Sequence, residues 1–136
     1  MSRRIRLTAA VLLCLPGLAM AQLFQADSKR IGDGKMDIVI AETERGARSS
    51  LLEIRIGKVG SSVGSSFFIA CSLRELARQR GGFRHIAKLE FGAARPQMLV
   101  GFLQRADEPP ENLDPRLVGQ KAVDLEQFGP ICDLNK

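Results

Sequence analysis

The sequence predicts an α+β domain: one long helix packed on a four-stranded antiparallel sheet, in the order ββαββ. One stretch, 61–82, has the periodicity and end signals of a helix. Two stretches before it and two after it are short, rich in β-branched residues or alternating. The connection inside each pair is short, which suits an antiparallel return and not a parallel crossover.

The helix is the best-marked element. Ser61 or Ser62 can cap its first amides, and Gly81 supplies the left-handed residue that commonly ends a helix. Arg78 and Arg80 fall in the last turn, where the helix dipole favours cations. At 100° per residue, Val63, Ser66, Ile69, Ala70, Leu73, Leu76 and Ala77 share one face, the expected core face. Phe68, Cys71 and Glu75 point the other way, and an outward aromatic beside a cysteine calls for a cover.

Residues 36–41 and 51–57 read as the first strand pair, joined by a charged turn over 42–50. Leu52, Ile54 and Ile56 mark the buried side of the second strand. Residues 83–91 and 97–103 read as the second pair. Phe83, Ala87, Leu89 and Phe91 are the expected core side, which leaves Ile86 and Leu99 on the solvent face among Arg84, Lys88 and Glu90. An apolar spot in a charged frame marks those two as candidate interface residues, for a partner or for a homodimer.

Residues 1–21 carry a basic start, a short apolar run and Ala19-Met20-Ala21, the pattern of a cleaved secretory signal peptide. The expected location is periplasmic or secreted. Residues 22–35 read as a flexible arm, and 36–136 as one domain whose tail spans 104–136. Processing changes the charge: the mature part holds seventeen bases against fifteen acids, net +2 and not +5. That weak excess, with no Trp and no Tyr for base stacking, argues against nucleic acid.

Cysteines 71 and 132 survive processing. In an oxidising compartment an even pair reads as one disulfide, and Cys71–Cys132 would lay the tail across the helix. Phe128 and Ile131 could then cover Phe68. Charge agrees, since 74–95 hold six bases against two acids and 107–136 hold seven acids against three bases.

Candidate chemistry is sparse. Gly60-Ser61-Ser62-Val63-Gly64 matches the nucleophile-elbow pattern between a strand and a helix. The lone histidine, His85, and the one acid between them, Glu75, complete no familiar triad, so no catalytic residue is assigned. Lys58, Gly60, Ser61 and Ser62 form a candidate anion site at the helix N-terminus. One histidine and two paired cysteines give no zinc set, and no calcium-loop motif occurs, so neither metal nor cofactor is expected. The features together point to an exported, non-enzymatic binding protein that meets another envelope protein. The alternatives are a carrier of small anions and, last, a serine hydrolase.

Overall fold

The computed structural model describes residues 22–30 and 34–134. The expected leader, 1–21, lies outside the described residues. The element order is β1 (Gln25–Asp27), β2 (Asp37–Arg45), β3 (Ser49–Lys58), α1 (Ser62–Gln79), β4 (His85–Phe91), β5 (Gln97–Leu103), β6 (Val123–Asp124) and α2 (Gly129–Cys132). The strands form one curled antiparallel sheet in the order β1-β2-β3-β5-β4-β6.

The helix covers one face of that sheet. Ile38, Ile40, Leu52, Ile54, Ile86, Met98, Val100 and Phe102 pack with Phe68, Leu73, Leu76 and Ala77 of α1 into one core, which also takes in Phe24 and Leu125. The opposite face of β5 has its own, smaller cover. A side chain on Gly101 would meet Leu117 Cδ1 at 2.6 Å and Leu113 Cδ1 at 3.1 Å, so the loop after β5 folds back against the bare glycine backbone. Arg48 fixes that loop through a two-pronged pair with Glu108, at 2.7 and 2.9 Å.

Six strands stand where four were expected, and both additions come from segments without a readable period. The segment taken as a flexible arm supplies β1, with Phe24 and Ser28 buried. The tail supplies β6, which pairs His85 with Asp124 and Ile86 with Val123. Three residues and two residues are too few to show alternation.

The turn expected over 42–50 shrinks, because β2 runs on to Arg45. Glu42 sits inside the sheet with its side chain fully buried. Its charge reads as solvent-facing only while its partners are out of sight.

The faces of β4 are the reverse of expectation. Register places Ile86 opposite Phe102 and Leu89 opposite Leu99. Ile86 therefore lies in the helix-side core, while Ala87 and Leu99 are buried on the other face. Both faces are covered here, so alternation carries no sign. The candidate interface pair, Ile86 and Leu99, is corrected accordingly: the two are 0% and 2% exposed and offer no surface.

The helix also departs from its expected face. Val63 and Ser66 are exposed, whereas Phe68 is buried in the core. The sheet explains the first: only β2 continues beside β3 beyond Glu53, because β5 begins at Gln97. The Cys71–Cys132 disulfide is formed, with Cα atoms 5.5 Å apart, and lays the tail on α1. Phe128 is half-buried and Ile131 is exposed, and neither belongs to the cluster holding Phe68.

Candidate functional site

A groove of about 650 Å³ runs between β1 and α1. One wall is the chain from Gln22 to Asp27, with Arg30 beyond it; the other is Phe68, Cys71, Ser72, Glu75 and Gln79. The helix wall follows from spacing. Residues 68, 72, 75 and 79 recur at intervals of four, three and four and so lie in one stripe. Phe68 and Phe24 line the groove while remaining 7% and 6% exposed, and Ser72 is tied to the helix through its hydroxyl, which donates to Phe68 O at 2.7 Å.

The β1 wall presents a strand edge. Glu42 N–H donates to Phe24 O at 2.8 Å, and Ala26 stands opposite Ile40. In an antiparallel ladder residues alternate between bonding the neighbour and pointing away. The N–H groups of Gln25 and Asp27 therefore point away from β2. The wall includes both the inward residues Phe24 and Ala26 and the outward residues Gln25 and Asp27, so the edge itself borders the groove.

A buried ionic cluster holds that wall in place. Glu42 Oε1 accepts the Phe24 N–H at 3.0 Å and Arg45 Nη2 at 2.5 Å, and Glu42 Oε2 accepts from Ser50 Oγ. Arg80, from the end of α1, donates to Ser50 Oγ, to Ser49 O at 2.9 Å and to Glu42 Oε2 at 3.4 Å. Its guanidinium also lies 5.0 Å from the Phe102 ring centroid. Burial pushes the Glu42 carboxyl up, but the bonds from Arg45, Ser50 and the Phe24 amide together bring it below its ordinary value. Burial and the charge of Arg45 lower the Arg80 guanidinium. The cluster clamps helix, hairpin and β1 to one another.

The far side of α1 is filled by the tail. Arg74 is 5% exposed and reaches Asp133 at 3.0 and 3.2 Å and Glu126 at 3.4 Å. Those carboxylates raise the Arg74 guanidinium above its ordinary value. Gly129 is buried, and a side chain there would lie 3.4 Å from Arg74 Nη2.

The residues read as an anion site lie together at the corner between β3 and α1. Lys58, Gly60, Ser61 and Ser62 are all exposed there. Ser61 is the N-cap, and its Oγ already accepts the Gly64 N–H at 2.9 Å. Gly60 makes the corner with φ of +67°. Ser62 is the first residue of α1, and among the described residues only glycines have positive φ, so the strained turn of a nucleophile elbow is absent here. His85 opens β4, beyond the other end of the helix, opposite Leu103 and Asp124. Among the described residues no cluster of His, Cys, Asp or Glu could hold a metal.

Sequence reasoning missed the groove. Of its helix wall, periodicity places Cys71 and Glu75 off the core face, whereas Phe68, read beside them, belongs to the core. Its strand wall lies in the segment read as an arm, where the apolar pair Leu23-Phe24 is the one signal. No protein-family model matches the chain, and neither does any curated protein or solved structure.

Proposed function

We propose that this protein is an exported, non-enzymatic binding module that acts by protein–protein contact, as a periplasmic accessory factor or an inhibitor of an exported enzyme. The observation that supports it is the groove between β1 and α1, bordered by an open strand edge. Such a groove suits an extended segment of a partner protein: main-chain bonds to the edge give affinity, and pockets for alternate side chains give selectivity. Phe24 and Phe68 favour an apolar side chain over the floor, and Glu75 favours a basic one beside it. The disulfide is compatible with export, because such bonds persist in oxidising compartments.

The test uses the mature chain as bait in envelope extract, beside two variants. Gln25→Pro removes a donor that points away from β2 and keeps the ladder bonds. Glu75→Arg reverses a charge on the helix wall. A protein retained by the wild type and lost by both variants supports the proposal. Equal recovery by all three overturns it.

A further inference from the structure

We propose a second working surface, separate from the groove: the end of the molecule where β3 turns into α1 docks on an anionic lipid surface. Four observations converge there.

The first is exposed apolar area. Ile56, Val59 and Val63 are 49%, 47% and 61% exposed. Ile56 shares the helix-facing side of the sheet with Ile38, its cross-strand partner, yet Ile38 is fully buried. Val63 belongs to the same helical stripe as Leu73 and Ala77. Both residues lie where the sheet has narrowed to two strands, and among the described residues neither is closed off from solvent.

The second is the basic frame. Lys58 stands opposite Asp37, and Lys29 approaches Asp37 at 3.7 Å. A side chain on Gly60 would lie 3.3 Å from Lys35 O, which brings residue 35 to the same corner. Arg55 adjoins in β3, with Glu53 as the remaining acid. This end thus holds four bases against two acids, while the other described residues hold twelve of each. The whole net charge of the described residues sits at the apolar end. The helix dipole adds positive potential of the same sign there.

The third is the kind of base. Three of the four are lysines, which protein–protein interfaces avoid and which anionic headgroups attract without demanding geometry. The fourth is shape. Residues 55–63 are exposed without a break, and Gly60 turns the chain there with φ of +67°, which presents the aliphatic side chains on either side of it to a headgroup layer. No helix among the described residues is long and apolar enough to cross a membrane.

The experiment is co-sedimentation of the mature chain with vesicles of phosphatidylglycerol and phosphatidylethanolamine, and with phosphatidylcholine vesicles as control. The expected result is binding to the anionic vesicles alone, weakened at high salt. Lys58→Glu and Val59→Asp should each weaken it about tenfold. Both side chains are already exposed, so both variants should melt with the wild type. The proposal is overturned if the wild type stays in the supernatant, if it binds phosphatidylcholine equally, or if the variants bind as well as the wild type. It is also overturned if the surface takes soluble polyglutamate and ignores the vesicles. The groove variants Gln25→Pro and Glu75→Arg should keep full lipid binding, which separates the two surfaces.

Discussion

The flank of α1 that carries Arg74 is closed, and the flank that carries Phe68 and Ser72 is open. On the closed flank a disulfide, a buried guanidinium shared by Asp133 and Glu126, and the buried Gly129 hold the tail down. On the open flank β1 stands off from the helix across a groove, and its outer edge has no strand partner among the described residues. Both flanks are built from short, weakly patterned segments, one from each end of the described chain. The difference is that one is covalently fastened and the other is held by noncovalent contacts: the short ladder with β2, the Glu42 carboxylate on the Phe24 amide, the Ser28 hydroxyl between Met36 O and Ile38 N, and Phe24 in the core. A small domain has little core to spare, so a flank left unfilled beside such fastening is where contact with another molecule is cheapest.

The contrast can be broken most strongly at the disulfide. Cys71→Ser, or reduction, frees a loop of 61 residues and should cost about 4 kcal/mol in the chain-entropy model. Thermal unfolding with and without reductant reads it, and an unchanged midpoint would deny the tail its fastening role.

Glu42→Gln comes next. It leaves Arg45 and Arg80 facing a neutral partner inside the sheet and should cost about 3 kcal/mol in urea unfolding. The same carboxylate sets an acid limit. Its folded pKa is depressed, so its contribution is present above the ordinary carboxylate range and is lost as pH falls through the folded value. Glu108, Asp114 and Asp124 are depressed too, each by an arginine partner, and act in the same direction. Stability should therefore fall below about pH 4 in the wild type, and the Gln variant should fall less steeply.

Smaller effects sharpen the picture. Asp133→Asn weakens one of the two carboxylate partners of Arg74 and should cost about 1 kcal/mol, since the carboxylate is itself 44% exposed. Glu75→Arg should change the melt by no more than about 0.5 kcal/mol, because its side chain is exposed, while abolishing capture through the groove. A large loss of stability there would mean that the open flank is structural after all.

Much of the frame was legible before the structure. The capped, periodic helix, the two strand pairs and the Cys71–Cys132 bond each rest on a local or pairwise signal. What escaped depends on partners distant in sequence. Glu42 reads as a solvated charge until Arg80, thirty-eight positions later, is folded onto it. Leu99 reads as a surface residue until the loop carrying Leu113 and Leu117 covers the second face of β5, and Ile86 until its register opposite Phe102 turns it toward the helix. The groove escaped for the same reason: a three-residue strand has no period, and Phe24 declares its burial only once β2 is beside it. The corner residues Lys58 to Ser62 were singled out for their helix amides, while the structure draws attention to the aliphatics around them.

Amide exchange on the free mature protein tests the difference between the flanks most directly. Gln25 and Asp27 should exchange close to the unprotected rate, while Ala26, Glu42 and the amides of α1 beside Cys71 are protected. Slow exchange at Gln25 and Asp27 in the absence of any partner would mean that the β1 edge is already occupied, and that no open flank exists.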